Sequence, residues 1–577
     1  MKILFRLFLF CAAVCISIPP SAQTSAASSN TAAFDRLVDD YFDFSFQHNP
    51  TQGTAAGFHQ YDHQLEDFSR AGVESEIAGL EKYLARLQQF PKSQLPEFAA
   101  GDLDFLSSQI RAELLELQQI QMWKKDPDNY TAAASNSIFV LMSRRFAPPE
   151  ERLRSVIARE REIPKIFVAA RHNLQNPPRI YTEIALQQLP DVVEFFRHDV
   201  PQAFSQVTDP GLLADFRTSN QAAMEALQQY QTFLQKDVLP VAHGDFRIGA
   251  ENYRRKLLYQ DMVDIPLDHL LEIAYADLRS NQQRLKEVAA QIDPRRDARA
   301  VLSDLQRDHP ARDQLLQSFR DMLGGIRQFI EAKHIITIPS QVSPIVEETP
   351  PFERALTTAS MDTPGAYENT ATEAMFNVTL PDPRWTPKKI EEWMQGLDRV
   401  IMSSTAIHEV YPGHYVQFLW TKRVASKTRK LLYCSTNAEG WAHYSEQMML
   451  DEGYGNHDLK LRMGQLNDAL LRDARFVVGI EMHTGKMTLQ QGIDFFTKEG
   501  YQTPPMAEAE AKRGTSDPTY LVYTLGKLQI LKLREDYKKQ QADKFNLQEF
   551  HDRFMLQGGV PLKIIRRAML GNDSPTL

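Results

Sequence analysis

The stretch from Thr405 to Gln417 contains two histidines and a glutamate, the residue types used in zinc-dependent hydrolysis. His408 and His414 could hold a metal through neutral imidazoles, and Glu409 could take a proton from the attacking water. In the common H-E-x-x-H motif the histidines are four residues apart and project from one helix face. Here Pro412 occupies the position of the second histidine, and His414 follows six residues after His408.

The Pro412-Gly413 step must therefore redirect the chain if both histidines are ligands. Six residues of an ideal helix turn by about 600°, which places His414 roughly a third of a turn from the face of His408. Proline removes a backbone donor and clashes with the preceding turn, while glycine accepts most dihedral angles. A kink there would bring His414 back toward His408. The alternative is a helix that simply ends at Pro412, with two unrelated surface histidines.

A second motif, Asn437–Glu446, begins about thirty residues downstream and offers a third ligand. Glu439 is the candidate because a carboxylate often completes a site with two histidines. His443 and Glu446 follow on the same helical face, where they could hydrogen-bond a ligating histidine. The alternative is an amphipathic helix with a solvated polar stripe. Trp441 and Tyr444 interrupt that stripe and favour a buried helix.

Together the two motifs resemble the signature of the bacterial domain-of-unknown-function 885 family. The resemblance lies in His408-Glu409-x-x-Pro412-Gly413-His414-x-x-Gln417 followed by Glu439-Gly440-Trp441-Ala442. Asn49–Thr54 and Tyr520-x-x-Tyr523-x-x-Gly526 support it, so it covers nearly the whole mature chain. Proteins of this family are similar in architecture to helical glutamate-zincin metallopeptidases such as angiotensin-converting enzyme. The resemblance implies a mainly α fold, a large multi-helix zincin-like body with a central cleft, a small β-sheet near the metal site and one Zn²⁺ per chain.

Residues outside the two motifs also have candidate roles, of which the resemblance implies that of Tyr523. Tyr523 would donate a hydrogen bond to the oxyanion that forms during hydrolysis, with Tyr520 one turn before it. Arg513 could bind a peptide carboxylate, and His483 could bind substrate or stabilise the transition state. Core packing, a surface ion pair and a structural polar network remain the respective alternatives for these residues. Gln417 is expected beside the metal ligands.

The N-terminal sequence and the composition indicate an exported protein. Residues 1–22 are typical of a signal peptide, with Lys2 and Arg6 before an apolar run that is short for a membrane span. A retained N-terminal anchor is the alternative. The mature chain keeps one cysteine, Cys434, which we expect to be buried, and we predict no membrane span in it. The formal charge of −9 without a basic run gives no indication of nucleic-acid binding.

The predicted organisation is a disordered leader at 23–32, a helical N-terminal region at 33–332 and a metal-site region at 333–577, the last two packed as one body. Periodicity predicts long N-terminal helices, with Pro164 splitting the helix over 150–174. The alternating segment Met375–Leu380 is the candidate edge strand for pairing with a substrate backbone, or else a plain edge strand. The sequence does not predict the oligomeric state.

The leading hypothesis is an exported, periplasmic or secreted zinc hydrolase that cleaves short peptides. Water activated by the metal would attack the peptide bond, with Glu409 as general base. One alternative is a zinc amidase or esterase acting on a non-peptide envelope substrate. Another is a non-catalytic binding protein on a peptidase fold, which is disfavoured because His408, Glu409, His414 and Glu439 are all present.

Overall fold

The computed structural model describes residues 21–350, 354 and 357–577, and over these residues the protein is mainly α, as the sequence predicts. The signal peptide assigned to 1–22 lies almost entirely outside the described residues and stays a prediction. The first helix begins at Ser21 and includes residues 23–32, where the sequence predicts a disordered leader. Several alanines in this segment favour the helical conformation.

The helices of the N-terminal region form a series up to the predicted boundary near residue 332. They are α1 (Ser21–His48), α2 (Pro50–Ala56), α3 (Arg70–Gln88), α4 (Glu97–Leu115), α5 (Met122–Lys125), α6 (Asp128–Met142), α7 (Pro149–Glu160), α8 (Ile163–Asn173), α9 (Arg179–Glu194), α10 (Val200–Ala203), α11 (Pro210–Phe233), α12 (Ala250–Asp261), α13 (Leu267–Ile292), α14 (Ala298–Leu305) and α15 (Leu315–Lys333). Pro164 lies in the first turn of α8, so the predicted split between α7 and α8 is confirmed.

The second region combines three short strands with a further series of helices. The strands are β1 (Ile345–Glu348), β2 (Ala359–Asp362) and β3 (Met375–Val378). The helices are α16 (Pro387–Gln395), α17 (Arg399–Glu409), α18 (His414–Thr421), α19 (Lys427–Leu431), α20 (Ser435–Asp451), α21 (Leu459–His483), α22 (Leu489–Lys498), α23 (Pro504–Ser516), α24 (Val522–Gln541), α25 (Leu547–Met555) and α26 (Leu562–Leu570). The two regions pack against each other, since Leu271 of α13 shares an apolar cluster with Phe476 and Ile480 of α21.

The sheet has the order β1-β3-β2, so β3 is its central strand. β3 pairs in parallel with β1 and antiparallel with β2. The prediction that Met375–Leu380 forms an edge strand is therefore wrong: both sides of β3 are occupied, and β2 is the edge next to α17. Alternation alone shows which residues share a face, but the order of the strands depends on long-range pairing.

The largest apolar cluster joins one face of this sheet to the helices that follow it. Phe376 and Val378 of β3 point into the cluster, where they meet Phe319 of α15 and Ile407 of α17. Trp441 of α20 lies in the same cluster and is fully buried. The sheet and the two motif helices are thus parts of one core.

α20 and α24 pack through a direct contact between two glycines. A Cβ atom on Gly440 would lie 2.5 Å from Cα of Gly526, and one on Gly526 would lie 2.0 Å from the carbonyl oxygen of Thr436. Only glycine permits this backbone approach. The contact fixes the helix that carries Glu439 against the helix that carries Tyr523.

None of the helices in the described part of the chain is both long and apolar enough to cross a membrane.

Replacing Gly526, at the contact between α20 and α24, should destabilise the protein. Gly526→Ala forces a methyl group against the Thr436 carbonyl, and we expect a loss of about 1–3 kcal/mol in the free energy of unfolding, measured by urea denaturation. Gly324→Ala is the matched control: Gly324 lies inside α15 with open space at its Cβ position, so this change should be neutral or stabilise by up to about 1 kcal/mol. Equal stability of the two variants would contradict the packing role of Gly526.

Candidate metal centre

His408, His414 and Glu439 converge on one point between α17, α18 and α20. One ligand atom from each residue lies within 4.8 Å of the others. Nε2 of His408 is 3.4 Å and Nε2 of His414 is 3.5 Å from Oε2 of Glu439. The predicted grouping of these three residues is what the structure shows.

The chain brings His414 back toward His408 by ending one helix and starting another. α17 ends at Glu409 and α18 begins at His414, with Gly413 as the residue before it. The amide of Gly413 donates to the carbonyl of Ile407, and a Cβ there would lie 1.7 Å from the carbonyl oxygen of His408. A larger residue cannot occupy this position. The predicted redirection at Pro412-Gly413 is confirmed as a break rather than a bent continuous helix.

Trp441 holds this break against the second motif. Its indole N–H donates to the carbonyl oxygen of Pro412 over 2.8 Å. The helix that supplies Glu439 is thereby tied to the connection between the two histidines. This contact explains why Glu439-Gly440-Trp441 and Pro412-Gly413-His414 form one structural unit.

The three ligand atoms fit a zinc ion in type and spacing. Ligands about 2.0–2.2 Å from a tetrahedral zinc lie about 3.3 Å apart, close to the separations from Glu439 to the two histidines. Oε2 of Glu439 is buried and forms no hydrogen bond among the described residues. A buried carboxylate oxygen without a donor is costly, and a cation between it and the imidazoles would remove that cost. Two imidazoles and a carboxylate are a common zinc donor set.

Glu446 holds His408 in the orientation a ligand needs. Its Oε1 accepts from Nδ1 of His408 at 2.7 Å, and its Oε2 accepts from Nδ1 of His443 at 3.0 Å. Arg472 lies 3.0 Å from Oε1. Burial raises the pKa of Glu446, but Arg472 and His443 outweigh burial and hold that pKa below its ordinary range. The anionic carboxylate keeps the proton on Nδ1 and leaves Nε2 of His408 free to bind a cation.

The carboxylates around His408 strongly favour positive charge at this point. Burial lowers the pKa of His408, yet Glu439 and Glu446 together raise it to about 10. His443 differs: burial lowers its pKa to about 3, so its ring is neutral and donates to Glu446. Two carboxylates thus concentrate negative charge at the point where a cation would fit.

Glu409 lies beside the ligands and against the edge of the sheet. Burial raises the pKa of its carboxyl group, and His414 and His408 partly oppose this shift. The backbone N–H of Met361 in β2 donates to the same carboxylate. Thr379 donates to the carbonyl of Thr358, and in this register the backbone groups of Met361 point away from β3. The free edge of the sheet thus faces the candidate general base.

Tyr523 reaches the site from α24. Its ring is stacked on that of His408 with centroids 6.3 Å apart. Burial and the nearby Glu439 raise the pKa of its hydroxyl, which keeps the proton at neutral pH. The guanidinium of Arg475 lies 4.9 Å from the ring centre, and Arg513 lies 3.4 Å from the hydroxyl. These contacts bring Tyr523 and Arg513 together, but Arg513 also pairs with Asp517 at 3.0 Å, which is the surface ion pair given as its alternative, and the predicted roles of both residues stay predictions.

Two other predicted site residues, His483 and Tyr520, have structural roles. His483 is fully buried, with Nε2 donating to the carbonyl of Gly514 and Nδ1 accepting from the amide of Ile248. Both ring nitrogens are used by the backbone, so the suggested substrate role is wrong and the structural alternative holds. Tyr520 packs in an apolar cluster with Val478, which makes it a core residue rather than a partner of Tyr523 in the site.

Gln417 hydrogen-bonds Asn437, the first residue of the second motif. Its amide donates to Oδ1 of Asn437, whose own amide donates to the carbonyls of Gly558 and Val560. Cys434 is buried, as predicted, with its thiol beside Asp261. These polar contacts fix the start of α20 and so the position of Glu439.

Sequence reasoning missed Arg472 and Met361. Arg472 lies one turn before Arg475 on α21, and this spacing could have indicated that both face the same neighbour, Tyr523. Met361 contributes its backbone, and no side-chain pattern could have identified it.

Comparisons with other proteins place the chain in a family whose biochemistry is not described. Similar in structure is a candidate lipoprotein of unknown function from Shewanella oneidensis, 26% identical, with a TM-score of 0.79 over 93% of this chain and 99% of that one. A candidate lipoprotein from Colwellia psychrerythraea, 17% identical, shares the fold with a TM-score of 0.78 over 96% of this chain and 99% of its own. No curated protein matches the chain. Residues 50–569 match the family described as bacterial protein of unknown function, DUF885, and the chain belongs to that family.

Proposed function

We propose that this protein is an exported zinc-dependent peptidase that cleaves short peptides. The observation that carries the proposal is the convergence of His408, His414 and Glu439 on one point, with Glu409 beside them. Zinc bound there would supply a Lewis acid for the scissile carbonyl and lower the pKa of a water molecule. The resemblance to helical zincins, including their central cleft, supports the same reaction class.

In this proposal Glu409 is the general base and later the general acid. Its buried carboxylate has a raised pKa, which increases its affinity for a proton at neutral pH. The N–H of Met361 orients the carboxylate, and the adjacent His408 and His414 place it next to the reacting water. Glu409 would then pass the proton to the departing amine.

Tyr523 would stabilise the negative charge that develops on the substrate carbonyl oxygen. Its hydroxyl stays protonated at neutral pH and can donate a hydrogen bond to that oxygen. Arg475 and Arg513 lie beside the Tyr523 ring, and their positive charges would also stabilise that negative charge. Arg475 is itself held in place by two hydrogen bonds to Glu510.

The free edge of β2 favours a peptide over the amide or ester alternative. The N–H and C=O of Met361 both point away from β3 toward the side of Glu409. The N–H of Met361 is already used by Glu409, so a bound peptide would donate a backbone N–H to the C=O of Met361, whereas a simple ester has no backbone N–H to donate. A panel of tripeptides against acyl esters of matched size separates the two reactions.

An exported location is part of the proposal. The N-terminal sequence is typical of a signal peptide, and the similar protein from Shewanella oneidensis is described as a candidate lipoprotein. Both observations support delivery to the cell envelope, where peptides are available as substrates.

Metal analysis tests the ligand set directly. We expect about one zinc per chain in the wild type by mass spectrometry, and its loss in His408→Ala, His414→Ala and Glu439→Ala, because each removes one of three protein ligands. His172→Ala is the control, since His172 is exposed on α8 and should leave the zinc content unchanged. Absence of metal from the zinc-supplied wild type would refute the proposed centre.

The Glu409→Gln variant separates metal binding from hydrolysis. This change keeps the shape of the side chain and removes its ability to accept a proton, so we expect full zinc content with peptide hydrolysis reduced by at least about 100-fold. Glu392→Gln, on the exposed face of α16, should retain wild-type turnover. Unchanged hydrolysis by a pure Glu409→Gln protein would rule out this residue as the base.

The zinc affinity should rise with pH, because the metal must displace a proton from His408. With the pKa of His408 raised to about 10, its imidazole is protonated at neutral pH in the metal-free protein. From pH 6 to 9 we expect the apparent affinity to increase about tenfold per pH unit, measured by competition with a chelating dye. Glu446→Gln removes one carboxylate that raises this pKa, so its curve should level off at a lower pH. A flat wild-type profile would contradict the assignment.

A further inference from the structure

A cavity of about 440 Å³ lies between the sheet and two helices of the N-terminal region. This volume is within the range of small-ligand sites. α6 and α9 form one wall, and β2 and β3 form the other. The residues that matter for its chemistry are Asp128, Thr131, Asp191, Met361, Asp362 and Asn377.

The cavity and the candidate metal centre share a strand. Met361 lines the cavity and also donates its N–H to Glu409. Asn377 pairs with Ser360, and both lie on the sheet face opposite the one that Phe376 turns into the core. A peptide bound along β2 could therefore direct one of its groups into this cavity.

Two buried polar atoms in the cavity wall have no hydrogen-bond partner among the described residues. They are Oδ1 of Asn377, in a residue that is 2% exposed, and Oγ1 of Thr131, in a residue that is 1% exposed. Leaving such atoms unsatisfied costs about 1–3 kcal/mol each. A ligand that carries N–H donors would satisfy both.

The charged side chains that line the cavity are all acidic. Asp128, Asp191 and Asp362 line it, and none of the described residues that line it is a lysine, arginine or histidine. Arg144 pairs with Asp362 at 2.6 Å, whereas Asp128 and Asp191 form no ion pair with the described part of the chain. Burial raises the pKa of Asp128 to about 6, as expected for a carboxylate that lacks a cation. The side-chain NH₂ of Gln188 donates to both carboxylate oxygens of Asp128 and so orients this carboxylate.

We propose that this cavity is a subsite for an ammonium or guanidinium group of the substrate, bound by Asp128 and Asn377. The proposal rests on the proposed function and narrows its substrate class to short peptides that carry a cation near the cleaved bond. Such a group combines positive charge, which Asp128 lacks among its described neighbours, with N–H donors for the amide oxygen of Asn377. Either the α-amine of the peptide or a lysine or arginine side chain could supply it.

The first test compares matched tripeptides on the zinc-loaded wild type. Replacing lysine by norleucine removes the side-chain cation at nearly constant length, and acetylating the N-terminus removes the α-amine. We expect kcat/KM to fall at least about tenfold for one of these changes, which identifies the source of the cation. Equal kcat/KM values across the panel would overturn the subsite while leaving the peptidase proposal intact.

Variants then connect the preference to the cavity. The preference is the ratio of kcat/KM for the cationic peptide to kcat/KM for its neutral counterpart. Asp128→Asn should reduce this ratio toward one, and Asn377→Asp should increase it severalfold by adding a carboxylate. Asp237→Asn, at an exposed position after α11, is the matched control and should keep the wild-type preference. Zinc content and melting temperature show that each variant is folded. A preference that stays at the wild-type value in both cavity variants would overturn the assignment.

A binding measurement distinguishes failure of the subsite from failure of the proposed function. Calorimetry with Nα-acetyl-lysine amide and with norleucine amide, which keeps a free α-amine, requires no hydrolysis. If no peptide is cleaved but one probe binds to the wild type and not to Asp128→Asn, the cation site stands and the peptidase proposal fails. If neither probe binds and kcat/KM is the same for cationic and neutral peptides, the proposed cation site is wrong.

Discussion

The site depends on the approach of two imidazoles to one buried carboxylate. His408 and His414 reach Glu439 from two different helices, and this is possible because the backbone at Gly413 passes against the carbonyl of His408. A side chain at that position would separate the two helices and move His414 away. The connection between α17 and α18 is therefore the point from which the rest of the site takes its geometry.

The surrounding charges follow from the burial of that carboxylate. Glu446 accepts hydrogen bonds from His408 and from the neutral ring of His443, and Arg472 on α21 supplies the positive charge that balances it. Burying such groups is costly unless each has a partner. At the centre, Oε2 of Glu439 lies 3.4 Å and 3.5 Å from the Nε2 atoms of His408 and His414 and forms no hydrogen bond among the described residues, and the proposed cation site rests on this geometry.

The sheet connects this centre to the N-terminal helices. The N–H of Met361 in β2 donates to Glu409, and the buried Asn377 of the neighbouring β3 lines the cavity together with α6 and α9. The candidate metal ligands and the candidate general base lie in the second half of the chain, while one wall of the acidic cavity is formed by the first half. Arg144, which follows α6, pairs with Asp362 of β2 and holds the two walls together.

The sequence by itself determined the helical class, the candidate ligands and the candidate general base. His408, Glu409, His414 and Glu439 could be identified because local spacing and residue chemistry limit what such residues can do, and the split at Pro164 follows from local backbone sterics. Tertiary structure decided that β2 rather than β3 is the sheet edge, that His483 serves the backbone, and that Arg472 supports Glu446. It also placed Asn377 opposite Asp128. These features depend on strand order and helix packing between distant segments, which are set by the fit of the whole core and leave no periodic signal in the residues themselves.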